Sequence, residues 1–255
     1  MSIFPEPVSN TMQISVFSVL PVILTVVFYS LYWLVKSSGK LKGMIYDRYE
    51  PVSANVIHVV LKRSTGFFLL GVVPVALTVT LRSGYSLADA GLVFRTETAG
   101  FSVISVILMS SLIIPVISFS TRKPLTYSVY PEIRVTSWTG KYLFAELFTW
   151  ALYLLGYEAL FRGVLLFGLA QSLGPVTAIT ISVILYSAAH LPKSRTETLA
   201  AIPFGLVLCL LTLYSGSIWI AFFAHLVNAF AMTLTAIKFN PAMNFAKSGE
   251  RSSIV

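Results

Sequence analysis

The chain has 255 residues and a mass of 28.0 kDa; 56% of it is hydrophobic, 11% is charged, and its mean hydropathy is +0.82. A soluble domain carries about a quarter charged residues, so this composition excludes an ordinary soluble fold, and it excludes disorder, which needs high charge and low hydrophobicity. The formal net charge of +8 is scattered between apolar runs, which argues against nucleic acid as a partner, and the single cysteine, Cys209, rules out a disulfide framework.

Charge-free stretches place the helices, since about 20 apolar residues cross a hydrocarbon core. The first predicted span, 11–35, is preceded by Glu6 and by no Lys or Arg, and is too long for a cleavable signal, so it is expected to stay. Spans over 64–81 and 99–120 follow. The next, 143–170, carries Glu146, Glu158 and Arg162 and is long for one crossing, so it is expected to tilt or break near Gly156. The turn Ser172-Leu173-Gly174-Pro175 separates it from 176–190, and Tyr214-Ser215-Gly216-Ser217 divides the final apolar stretch into 198–214 and 218–238. Lengths and Gly/Pro punctuation fit helices, not the alternating strands of an outer-membrane barrel. The chain therefore reads as an all-α, polytopic helical membrane protein with about seven transmembrane helices, a single membrane domain over 1–255. Its polar tail, 240–255, is expected to be mobile.

Lys and Arg set the orientation. With the amino terminus outside, the cytoplasmic segments 36–63, 121–142, 191–197 and the tail from Lys238 hold six, four, two and three of them, whereas the outer segments hold only Arg82 and Arg95. The carboxy terminus is thus expected in the cytoplasm. Membrane lipid is the expected partner of the basic segment 36–63 (Lys36, Lys40, Lys42, Arg48, Lys62, Arg63), through anionic headgroups.

Ionisable side chains at membrane depth are costly and mark functional sites by default. Glu158 and Arg162 are four apart, as are Tyr186 and His190; His225 and Asn228 are three apart. Each pair shares a helix face. Glu can take a proton from water, His can orient that water or bind a metal, and a second His with Asn can stabilise an oxyanion. Plainer roles compete: Glu158–Arg162 as a structural ion pair, the histidines as hydrogen-bonding glue between helices, Glu146 as a partner of a helix dipole, and Trp33 and Trp138 as interfacial anchors. His58 takes no role.

The three pairs stand in a suggestive order. Tyr157-Glu158-Ala159-Leu160-Phe161-Arg162-Gly163 resembles the first motif of the CAAX-protease and bacteriocin-processing (CPBP, or Abi) family; Tyr186 with His190 resembles its second; His225-Leu226-Val227-Asn228-Ala229 resembles its third. Ser86-Leu87-Ala88-Asp89-Ala90-Gly91-Leu92 is similar to a weaker element of many members. The core of the resemblance runs over about 145–235. Members are multi-span helical proteins. The eukaryotic and archaeal CAAX prenyl proteases among them cut the last three residues from prenylated proteins, and many bacterial members are held to be intramembrane metalloproteases or are linked to bacteriocin immunity.

The resemblance implies an intramembrane peptidase of a prokaryotic plasma membrane, acting on a peptide or prenylated-protein substrate. It makes Glu158 the general base, His190 its partner, His225 with Asn228 the oxyanion group, and Arg162 the cation that orients Glu158. Zinc is a candidate cofactor, with His190, His225 and Glu158 its candidate ligands. Two positions depart from the family pattern. Tyr157 stands where the first of two glutamates is usual, and Ala229 stands where Asn or Asp is usual, with Asn228 about 100° away around the helix. The alternative is a non-catalytic membrane protein binding a peptide, lipid or partner. A transporter fits less well, for want of repeated halves.

Overall fold

The computed structural model describes residues 16–127, 129–191, 195–246 and 252–255. The start of the first predicted span (11–15), Pro192 and Lys193, and the tail over 247–251 lie outside the described residues. Among the described residues the chain is all-α apart from one two-residue strand pair and an isolated bridge between Val135 and Ile254. Its helices are α1 (Val16–Lys36), α2 (Gly39–Tyr46), α3 (Pro51–Gly66), α4 (Val73–Leu81), α5 (Ala99–Ser120), α6 (Pro124–Tyr127), α7 (Gly140–Glu158), α8 (Gly168–Leu173), α9 (Pro175–Ala188), α10 (Arg195–Ser215) and α11 (Trp219–Phe239). Two π-helical stretches, Phe67–Val72 and Ala159–Phe167, join α3 to α4 and α7 to α8.

Among the described residues, six helical segments are long and apolar enough to cross a membrane: Ser18–Tyr46, Pro51–Leu81, Thr96–Ser120, Gly140–Leu173, Glu197–Ser215 and Trp219–Phe239. The remaining predicted span is α9. It has 14 residues, about 21 Å at 1.5 Å per residue, short of a core about 30 Å thick. Gly174, at φ +79°, caps its start at Pro175, one residue before the predicted limit, and it ends at Ala188, two residues short of the predicted limit. The lipid-facing character is plainest on α5, where Leu112 is 73% and Val116 68% exposed. Soluble proteins do not leave such a surface to water; this is an integral membrane protein.

The expected break near Gly156 does not occur. The chain stays helical from Gly140 to Leu173 and changes instead to π geometry at Ala159. The apolar residues that follow, Leu160, Val164, Leu165 and Leu166, are all fully buried. A helix apolar all round stays continuous when protein surrounds it.

The chain divides into two compact units. The first comprises Met1–Ser30, Phe68–Val106 and Gly156–Phe223. Within it α9 packs against α10, α8 and the π stretch Ala159–Phe167, and α4 packs against that same stretch. The backbones come close at Gly71, where an added Cβ would lie 2.7 Å from Gly156 Cα. Small residues at such crossings let membrane helices meet. Gly71→Val is expected to cost about 1–3 kcal/mol through overpacking, read as a lower thermal midpoint in detergent.

The segment after Leu81 docks through polar contacts. Ser86 donates to Asp89 from its N–H at 2.8 Å and its hydroxyl at 2.6 Å. The N–H of Ile218 donates to the Gly91 carbonyl at 3.0 Å, Ser217 Oγ donates to Val93 at 2.8 Å, and the Phe94 ring stacks on Trp219 at 4.4 Å. The family-like Ser86–Leu92 element is therefore an anchor for the predicted Tyr214–Ser217 turn, where Gly216 takes φ +66°.

The second unit comprises Leu31–Phe67, Ile107–Leu155 and Ala224–Val255. Val59, Ile133, Val135, Trp138, Ile237 and Met243 form its core. Trp138 is 2% exposed, a core side chain and not an interfacial anchor. The tail is tied down at both described ends: Asn244–Phe245 pairs in parallel with Ser137–Trp138, and Thr136 N–H donates to Ser253 at 2.9 Å. The expectation of a mobile tail fails over these residues because strand pairing satisfies its backbone.

Arg63 was counted with the lipid-facing cations, but it is buried at 1% exposure. Its guanidinium donates to the Glu146 carboxylate at 2.8 Å, the Glu146 carbonyl at 2.9 Å and Thr149 Oγ1 at 3.1 Å, and its carbon lies 4.1 Å from the centre of the Trp150 ring. Glu146, read from sequence as a helix-dipole acid, is instead the buried counter-charge, which also accepts from Trp150 Nε1 at 3.0 Å. Glu132 closes the cluster, 3.1 Å from Arg63 and 2.7 Å from Lys62.

Burial alone would raise the Glu132 carboxyl, but Arg63 and Lys62 outweigh it and hold it down at about 2. The group therefore stabilises the fold in full above its unfolded value near 4.3, and that contribution is lost as pH falls toward 2. The thermal midpoint is expected to drop across this window, and Glu132→Gln to flatten that part of the profile.

Candidate active site

Glu158 ends α7 and Arg162 sits one turn on, inside the π stretch. The two are an ion pair, Nε to Oε2 3.3 Å, with side chains 1% and 0% exposed. A π turn closes its hydrogen bonds five residues apart and is common at functional sites; this one keeps residues four apart as neighbours while the rest of the stretch is packed in apolar side chains. A buried pair of this kind is strongly coupled, and removal of either partner strands the other.

Arg162 lies over the Tyr186 ring, 4.6 Å from its centre. That ring in turn meets Phe161 at 5.9 Å and Tyr157 at 6.0 Å between centroids. Gly205 of α10 makes the room for Tyr186, since a Cβ there would stand 2.7 Å from its ring. One turn further along α10, the buried Cys209 lies within electrostatic reach of Arg162 and Glu158. On the other side of Phe161, a cavity of about 160 Å³ is lined by Thr25, Tyr29, Phe161, Leu185 and Ala189 among others, and the Tyr29 hydroxyl donates to the Ala189 carbonyl at 2.8 Å.

His190 follows the end of α9, its ring 4.8 Å from that of Tyr186. Its Nδ1 lies 2.9 Å from the Tyr186 carbonyl. A carbonyl can only accept, so Nδ1 carries the proton in this contact, and in the neutral ring Nε2 then keeps the lone pair needed of a base or ligand. His225 and Asn228 both lie on α11, in the second unit; His225 is buried and Asn228 half-buried. Of the residues singled out from sequence, the first unit brings Glu158, Arg162, Tyr186 and His190 to one neighbourhood, and His225 and Asn228 belong to the other unit.

Tyr157, in the place of the first family glutamate, is 5% exposed and packs on Phe161 at 4.6 Å between ring centres. Sequence reasoning passed over Cys209, because a cysteine in an apolar run looks like packing, and its relation to Arg162 depends on how α10 crosses the π stretch. It also gave Arg63 and Glu146 separate roles and missed their pairing, because they stand 83 residues apart.

Among the described residues, no three His, Cys, Asp or Glu side chains are grouped so as to hold a metal ion. Of the candidate ligands, Glu158 lies against Arg162; Glu158 and His190 belong to the first unit and His225 to the second.

Residues 139–231, a little over a third of the chain, match a family model described as type II CAAX prenyl endopeptidase Rce1-like. No curated protein and no solved structure matches the chain.

Proposed function

We propose, on the premise that residues 139–231 are a domain of the Rce1-like family of type II CAAX prenyl endopeptidases, that the protein is an intramembrane peptidase whose general base is Glu158. The observation that carries this reading is the fully buried Glu158–Arg162 pair inside that domain. Arg162 is the counter-charge of the carboxylate and fixes its direction. An ionised carboxylate takes the proton from a water as that water attacks the scissile carbonyl, and the same proton can then pass to the leaving amine. His190, with its Nε2 lone pair, orients the water. His225 and Asn228 take the oxyanion role by resemblance alone. A peptide or a prenylated protein is the proposed substrate, and the proposed setting is a prokaryotic plasma membrane with the carboxy terminus in the cytoplasm.

A second reading is favoured by Tyr157, whose burial among aromatic rings puts a phenol where the family has an acid. On that reading the protein binds a peptide, lipid or partner without cutting it. Comparison of the amino- and carboxy-terminal peptides of wild-type cells with those of a Glu158→Gln strain separates the two. The peptidase reading expects termini that vanish in the variant, and an unchanged set of termini overturns it. His225→Ala is expected to lose the same termini while keeping its level of folded protein in the membrane; retained cleavage removes His225 from the mechanism.

A further inference from the structure

Several buried polar atoms of the first unit have no hydrogen-bonding partner. Among them are Ser182 Oγ on α9, Thr212 Oγ1 on α10, and Nη1 and Nη2 of Arg162 in the π stretch. All three residues are 2% exposed or less. Serine and threonine in membrane helices usually return their hydroxyl to a carbonyl one turn back, as Thr25 and Thr180 do here. An unsatisfied buried donor is destabilising, and lipid offers nothing to relieve it.

These atoms line up. Six residues of sequence separate α9 from α10, and the two helices pack together with Gly205 against Tyr186, which sets them antiparallel. Moving one turn back along α9 and one turn forward along α10 brings Ser182 to the level of Cys209, with Thr212 three residues beyond on the same face. Tyr186, four residues from Ser182 on α9, carries the Arg162 guanidinium over its ring at 4.6 Å. Helix spacing thus sets the Ser182 and Thr212 hydroxyls and the Cys209 thiol along the α9–α10 seam on which Arg162 lies. Buried water settles where it can make two to four hydrogen bonds to otherwise unsatisfied groups.

We propose that the α9–α10 seam beside Arg162 is a bound-water site, held by Ser182 Oγ, Thr212 Oγ1 and the terminal nitrogens of Arg162. Its further role, storing the water that Glu158 activates, rests on the peptidase reading above; the site itself does not.

The test uses the full chain in lipid nanodiscs and water as its own probe. X-ray pulses in ¹⁸O-water generate hydroxyl radicals from bound as well as bulk water, and mass spectrometry reads the side chains they strike. Cys209 and Tyr186 are as buried as Tyr32 of the second unit, which packs against Tyr153 and serves as the dry control. The proposal expects Cys209 and Tyr186 to take up label at least several-fold faster than Tyr32. It expects Ser182→Ala with Thr212→Val to bring them down to the Tyr32 rate. Equal rates in the wild type mean a dry seam and overturn the proposal, and so does fast labelling that the double variant leaves unchanged. Should the double variant not fold, each single variant is expected to lower labelling part of the way. Labelling of this pattern in a protein whose Glu158→Gln strain shows no change in termini would keep the water site and reject only the peptidase reading.

Discussion

Glu158→Gln is expected to abolish peptide cleavage, by about 10²–10⁴-fold, the usual worth of a positioned general base. The amide is nearly the same size but cannot accept a proton. It also leaves Arg162, at 1% exposure, without its counter-charge, and breaking a buried pair costs about 3–5 kcal/mol. Lost activity and lost fold must therefore be separated. Glu158→Gln with Arg162→Met removes both charges, and replacing a buried pair with apolar groups is often neutral or stabilising. This double variant is expected to recover the wild-type thermal midpoint while staying inactive. Cleavage at the wild-type rate in the folded single variant would remove Glu158 as the base. Recovery of both midpoint and cleavage in the double variant would make the pair a structural element.

Arg63→Met is the second large effect, and it concerns stability. Arg63 makes its contacts to Glu146, Thr149, Glu132 and Trp150 from a fully buried position. Removing it strands Glu146, which is 0% exposed, at a cost of about 3–5 kcal/mol. Arg63→Lys is expected to recover only part of this, because a single ammonium cannot reproduce the guanidinium fork or its stacking on Trp150. Arg63→Met with Glu146→Leu is expected to recover most of it. The measurement is the thermal midpoint in detergent, checked against the yield of folded protein. If Arg63→Met matched the wild type, the cluster would contribute nothing that lipid and water cannot replace.

Much was legible in the sequence. Charge-free length determined the all-helical membrane class, and Gly/Pro punctuation located the turns at Gly174 and Gly216, both of which adopt positive φ. The four-residue spacing of Glu158 and Arg162 determined that they would meet, since neighbours on a helix are a local matter; even the unexpected π geometry did not separate them. The match over 139–231 falls on the stretch that carries the three motifs.

Tertiary structure decided what local periodicity cannot. Whether a cation at the edge of an apolar run snorkels to headgroups or turns inward depends on what stands opposite, and for Arg63 that is an acid 83 residues away. Whether an apolar run of 176–190 crosses the bilayer depends on where its helix ends, and packing and turn geometry limited it to 14 residues. Whether a polar tail is loose depends on an unpaired strand elsewhere, here Ser137–Trp138. The relation of Cys209, Ser182 and Thr212 to Arg162 is likewise a product of helix crossing. Sequence carries the chemistry of each side chain and its neighbours one turn away; burial and long-range partnership arise only when separate helices close on one another.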